Sequence, residues 1–210
     1  MWLMLWILAV LVVTFVLVNL GWRWASRIWS LPCPSGMAWF LENPIVQRLN
    51  GTRITVERLG LQPGQRVLEI GPGPGRLLIP AARAVLPGGE AVGIDIQPRM
   101  LQRLQDRANR EGITNLTTIQ GDAAQPHVAE GSFDVVFLCT CLGEIPERAA
   151  AMTQCFRALK PGGILSITEL WGDPHYQSQS KVRQLAEAAG FQLRSIQGRP
   201  WFYTATFCKP

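Results

Sequence analysis

Val67-Leu68-Glu69-Ile70-Gly71-Pro72-Gly73-Pro74-Gly75, followed by Arg76-Leu77-Leu78-Ile79, is the stretch on which the fold turns. A short β-rich apolar run ends in a glycine turn and passes into a helical pattern. Glycine lets the backbone come close to a ligand, and a helix start adds unpaired N–H donors, so the turn suits a nucleotide-like ligand. A dinucleotide fingerprint, G-x-G-x-x-G, is not met, because Arg76 occupies the third glycine's place after Gly71 and Gly73. The spacing is E-x-G-x-G-x-G.

Around that turn, strand-like runs alternate with helical ones. Arg66 to Ile70 precedes a helix over Arg76 to Val85, and Glu90 to Ile94 precedes one over Pro98 to Glu111. Leu116 to Gln120 and Phe133 to Cys139 read as strands, then Ala149 to Leu159 as helix, Ile164 to Glu169 as strand and Ser180 to Ala189 as helix. Such alternation predicts a mainly parallel sheet with helices on both faces. Gln192 to Gln197 and Trp201 to Cys208 are separated by Gly198-Arg199-Pro200 alone, which predicts a C-terminal antiparallel hairpin at the sheet edge.

The glycine motif, together with the strand ends downstream of it, resembles the class I S-adenosylmethionine-dependent methyltransferases and their Rossmann-like fold. Gly93-Ile94-Asp95 ends the second strand about 24 residues after Gly71, where a carboxylate accepts the ribose hydroxyls. Gln120-Gly121-Asp122-Ala123 resembles the family's segment that meets the adenine amino group, and Ser132 to Leu138 and Leu159-Lys160-Pro161-Gly162-Gly163 match later elements. The resemblance implies S-adenosyl-L-methionine as cofactor, held by Glu69, Gly71, Gly73, Gly75, Asp95, Ile96, Asp122 and Ala123, with no metal. The plainer alternatives are a tight turn for the glycines and helix or turn caps for Asp95 and Asp122.

Methyl transfer in this family is an in-line displacement, for which the protein holds donor and acceptor together and excludes water. Acceptor residues are expected in the loops after strands four and five and in the N-terminal cap. That nominates Cys141, Leu142, Gly143 and Glu144, and Trp171, Asp173, His175 and Tyr176. Glu144 and His175 are the candidate bases for a weakly acidic acceptor, against the alternative that each is a solvated loop residue. Cys139-Thr140-Cys141-Leu142-Gly143-Glu144 stands where a D/N-P-P-Y-type motif would mark a nucleic acid or protein substrate. Within the family the arrangement resembles the branch that methylates quinone precursors, lipids and similar small molecules, and that resemblance implies a small or lipid-like acceptor.

Met1 to Leu20 contains no charged side chain. Twenty helical residues span roughly 30 Å, the thickness of a bilayer's hydrocarbon core. A cleaved signal peptide fits less well, because no basic residue precedes the run and no small-x-small site comes after it. Tryptophans 22, 24 and 29 with Arg23 and Arg27 suit a lipid headgroup layer, and the positive-inside rule puts the rest of the chain in the cytoplasm and the N-terminus outside.

The expected organisation is a transmembrane helix over 1–21, a basic, tryptophan-rich linker over 22–36, a helical cap over 37–62 and the methyltransferase domain over 63–210. The cap is read as two amphipathic helices, Met37 to Leu49 interrupted at Pro44 and Thr52 to Leu61, with Trp39, Phe40 and Leu41 as its apolar face. Five cysteines without CxxC spacing suggest neither a disulfide framework nor a zinc site. A net charge of +5 without a basic run points to anionic lipid rather than nucleic acid. Two other functions remain open: a tethered S-adenosylmethionine-binding module without catalysis, and a nicotinamide-dependent reductase.

Overall fold

The computed structural model describes residues 2–30, 32–34, 36, 43–49, 51–125 and 127–210. The first helix, α1 (Trp2–Trp29), runs unbroken past the boundary drawn at residue 21. Gly21 alone does not stop it, and the first proline comes only at 32. Among the described residues two short helices follow, α2 (Pro44–Leu49) and α3 (Thr52–Leu59).

Pro44 is the first residue of α2, and Asn43 Oδ1 accepts the backbone N–H groups of Ile45 and Val46 at 2.9 and 3.4 Å, while residues 37–42 of the expected cap lie outside the described residues. A proline in the first helical position loses no hydrogen bond, because that N–H has no intrahelical partner anyway. Helix α3 stops at Leu59, two residues early, where Gly60 turns left-handed at φ 62°. Trp39, Phe40 and Leu41, the expected apolar face of the cap, lie outside the described residues.

The domain continues as β1 (Arg66–Ile70), α4 (Leu78–Ala84), β2 (Glu90–Asp95), α5 (Pro98–Arg110), β3 (Leu116–Gln120), β4 (Phe133–Cys139), α6 (Arg148–Ala158), β5 (Leu159–Leu170), α7 (Gln179–Ala188), β6 (Gln192–Arg199) and β7 (Phe202–Cys208). The strand order is β3-β2-β1-β4-β5-β7-β6, with β1 to β5 parallel and β7 antiparallel to both β5 and β6. Order reverses between β1 and β4, so a crevice opens beyond their carboxyl ends.

Alternation along the strands sends Leu68, Val92 and Val136 to one face, among Met152, Cys155 and Val182, and Val67, Ala91 and Val135 to the other, among Leu78, Leu101 and Leu104. Both faces are therefore covered, and the central strands are nearly wholly apolar.

Three boundaries differ from the sequence reading for definable reasons. Helix α4 starts at Leu78 instead of Arg76, because Pro80 has no N–H to give the Arg76 carbonyl. Strand β5 begins at Leu159 because the Pro161-Gly162-Gly163 turn stays in the ladder, with Gly162 N–H donating to the Lys209 carbonyl and Lys209 N–H to that of Gly163, each at 2.9 Å. The last turn falls on Pro200 and Trp201, since Gly198 and Arg199 stay paired with Tyr203 and Phe202.

Asp134 ties the lower end of the sheet together. Its carboxylate accepts the Arg66 N–H at 2.8 Å and the Lys160 ammonium at 2.6 Å. Burial opposes ionisation there, but these donors outweigh it and hold the group below its ordinary value. Its contribution to stability is therefore present above about pH 4 and is lost as pH falls through the depressed value. Asp134→Ala should cost about 1–2 kcal/mol in urea unfolding at neutral pH and should flatten the acid limb of the stability curve.

Candidate active site

One cavity of about 730 Å³ occupies the crevice beyond β1 and β4. Glu69, Gly71 and Gly73 line it from the glycine turn, Asp95 and Ile96 from the end of β2, Asp122 and Ala123 from the end of β3, and Glu144 and His175 from the loops after β4 and β5. All but one of the sequence-predicted site residues thus line one cavity. Gly75 is the exception, because a Cβ there, at φ 84°, would press on Leu104 and Ile79. It lets the turn pack on the domain and does not face the cavity. At Gly73 nothing stands within 4 Å of an added Cβ, so that position opens on the cavity.

Asp95 organises this end of the sheet. Its Oδ2 accepts the Gly73 N–H at 3.1 Å and its Oδ1 the Gln97 N–H at 2.9 Å. Burial pushes its carboxyl above the ordinary range, although the N–H groups of Gln97, Gly73 and Ile96 pull it back down. Asp122 closes a turn of its own, accepting the Ala124 N–H at 2.9 Å. Glu69 is buried with Oε2 unpaired. Burial drives its carboxyl well up against the pull of Arg76, and Asp95 adds to the rise.

On the other side, a turn of 3₁₀ helix over Leu142–Glu144 carries Glu144 into the cavity. Burial raises its carboxyl to about 8, against a 3.2 Å hydrogen bond from the Cys33 N–H to Oε2. His175 is buried, with Nδ1 3.8 Å from Glu144 Oε1 and 3.7 Å from Asp173 Oδ1, and with Nε2 unpaired. Burial and Arg148 hold the imidazole below its ordinary value, so it is neutral at pH 7. Among the other nominated loop residues, Cys141 and Asp173 line the cavity. Leu142 and Gly143 are buried, Trp171 is exposed, and the Tyr176 hydroxyl donates to the Pro200 carbonyl at 2.5 Å.

Three features escaped the sequence reading. The connector after α1 crosses the cavity: the Cys33 N–H meets Glu144, and its carbonyl accepts the Gln97 side-chain amide at 2.9 Å. Val18 and Trp22 of α1 also line the cavity. Glu169 is buried with Oε1 unpaired and a carboxyl raised by burial to about 8, and its Oε2 accepts the Gln177 N–H at 3.1 Å, which positions the loop carrying His175. Buried acids of this kind leave no signal in a single sequence.

A family model described as a methyltransferase domain matches residues 67–163. The ubiquinone/menaquinone biosynthesis C-methyltransferase UbiE of Vibrio vulnificus is 34% identical over 131 residues, 62% of this chain and 50% of the relative. A crystal structure of a SAM dependent methyltransferase from Aquifex aeolicus superposes with a TM-score of 0.77 at 19% identity, covering 85% of this chain and 100% of that one. The chain carries a class I, S-adenosylmethionine-dependent methyltransferase domain. Nocamycin O-methyltransferase of Saccharothrix syringae is 33% identical over 143 residues, 68% of this chain and 48% of the relative. The chain spans about half the length of these curated relatives. The [4+2]-cyclase SpnF shares the fold at a TM-score of 0.69 and 21% identity, over 79% of this chain and 81% of that one.

The cofactor of the methyltransferase domain is S-adenosylmethionine, and the cavity fits it. Glu69 Oε2, buried and unpaired, suits an ammonium group, and Asp95 accepts one N–H on each oxygen, keeping lone pairs for a ribose diol. Ile96, Met100 and Ala123 offer an apolar slot beside Asp122 for a purine. The acids gathered around the cavity also favour a cationic ligand.

Gly73 and Gly75 should separate in their effects. Gly73→Trp should abolish S-adenosylhomocysteine binding in calorimetry by filling the cavity. Gly75→Ala should lower unfolding stability by about 1–3 kcal/mol while binding by the folded fraction is kept.

Proposed function

We propose that this chain transfers a methyl group from S-adenosylmethionine to a small, lipid-like acceptor drawn from the membrane, with a quinone precursor as the leading candidate. One observation carries the reading: Val18 and Trp22, from an apolar helix long enough to cross a bilayer, line the same cavity as Asp95 and Glu144. Its most apolar part, Met4–Trp22, has a mean hydropathy of 2.5 and is 0% buried against the rest of the protein, so it is no core helix. In this reading α1 spans the membrane once, with the domain on the cytoplasmic side, and the cavity receives its acceptor at the bilayer surface. The C-methyltransferase name of the Vibrio relative supports a quinone-like ring as acceptor.

The bound cofactor supplies an activated methyl group on a sulfonium, so the protein's work is placement, dehydration and proton removal. Asp95, Gly73 and Glu69 hold the cofactor side. The connector through Cys33, pinned to Glu144 and Gln97, closes the cavity against water. His175, neutral at pH 7 and part of the cavity lining, takes the proton of a weakly acidic acceptor hydroxyl. Glu144, still protonated in part at that pH, becomes a carboxylate through about 8 and then favours the imidazolium 3.8 Å away.

Membranes carrying the protein, incubated with methyl-labelled S-adenosylmethionine, should place label in the lipid extract. Label confined to protein, or none despite cofactor binding, would overturn the reading, and the second result would leave a tethered binding module. The rate should fall in acid as His175 protonates and rise again through about pH 8 with Glu144. His175→Gln should lose about 10²-fold or more in rate, and Glu144→Gln should remove the upper rise alone.

A further inference from the structure

The tip of the β6–β7 hairpin and the residue after β5 form an exposed aromatic and basic knob that takes no part in the site above. Trp171 and Trp201 are 62% and 54% exposed, large values for indoles in a folded domain. They are neighbours, because the Trp171 backbone N–H donates to the Trp201 carbonyl at 2.7 Å and Leu170 pairs with Phe202 in the ladder. The Arg199 guanidinium lies 5.3 Å from the Trp201 ring centroid, and Arg199 and Pro200 are exposed as well.

This knob stands at the cavity rim. Leu170, Gly172 and Phe202, next in sequence to the two tryptophans, line the cavity together with Val18 and Trp22 of α1. Val18 lies four residues before Trp22, roughly 6 Å deeper along a helix axis, so a cavity touching both meets the bilayer at its headgroup layer. Indole rings with an arginine stacked on one of them are suited to that layer, where an apolar ring and a polar edge are both satisfied and anionic headgroups attract the cation.

We propose that the Trp171–Trp201–Arg199 knob is a second membrane contact, by which the catalytic domain docks its cavity rim onto an anionic lipid surface. The inference rests on α1 being a membrane anchor, and it adds that the domain is held in one orientation rather than swinging on its connector. Holding the rim against lipid lets an apolar acceptor pass into the cavity without crossing water.

The test uses the full chain reconstituted in phosphatidylcholine vesicles, with and without phosphatidylglycerol. Subtracting the emission of a Trp171→Phe, Trp201→Phe double variant from that of the wild type isolates the knob from the other tryptophans. Headgroup-proximal brominated lipid should quench that difference emission, and more strongly when phosphatidylglycerol is present. Arg199→Glu should lower the docked-to-free ratio in phosphatidylglycerol at least roughly fivefold and leave S-adenosylhomocysteine binding unchanged, which reports that the domain is folded. Quenching of the remaining tryptophans without quenching of the difference emission would overturn the knob and leave the anchor standing. Absence of quenching from every tryptophan would overturn both.

Discussion

The carboxylate of Asp95 is the point around which the functional end of this molecule is assembled. It accepts N–H groups from Gly73 and Gln97, so the turn after β1 and the entrance to α5 are fixed to the end of β2. The backbone repeats the arrangement, with Gly71 N–H donating to the Ile94 carbonyl at 2.8 Å and Gly121 N–H to that of Asp95 at 3.1 Å. Three loops from three strands are thereby stitched at the place where strand order reverses. That reversal supplies the crevice, and the stitching gives it a fixed shape before any ligand arrives.

The crevice costs stability in a way that explains its chemistry. Glu69, Asp95, Glu144 and Glu169 are all withdrawn from water, and burial is the largest cause of the rise in each carboxyl. Arg76 and Arg148 offset part of this, Arg148 while holding the Leu142 and Gly143 carbonyls at 3.2 and 2.7 Å. Burial thus favours the neutral form of these carboxyls, and a sulfonium and an ammonium entering the crevice would favour the ionised form and draw the raised values back down. A protein built only for stability would have replaced such groups by apolar ones. The connector through Cys33 joins the two halves of this wall and links them to α1, so the helix and the site share one structural element.

Much of the fold was legible because it rests on local rules. Alternating apolar runs separated by helical patterns gave the parallel sheet, and Gly71, Gly73, Asp95 and Asp122 were legible because their places are set by strand ends. Gly75 shows the limit: the same motif letter that faces the cavity at 73 faces Leu104 at 75, and spacing does not distinguish them. Pro44 was read as an interruption when it opens a helix, and Pro80 was passed over when, two residues into the first turn of α4, it delays that helix's start to Leu78. The bridge from Cys33 to Glu144 spans 111 residues and has no local pattern at all. Glu169 was hidden for a related reason, because its ladder partner, Tyr203 of β7, comes from 34 residues further along the chain.

The account stands on the cavity being an S-adenosylmethionine site organised by Asp95. Calorimetric titration of the full chain with S-adenosylhomocysteine, beside the Asp95→Ala variant and beside NAD, tests that most directly. The prediction is saturable binding of S-adenosylhomocysteine, weakened about tenfold or more in Asp95→Ala through loss of charge-assisted hydrogen bonds, with no binding of NAD. Equal affinity in the two proteins, or tighter binding of NAD, would contradict it.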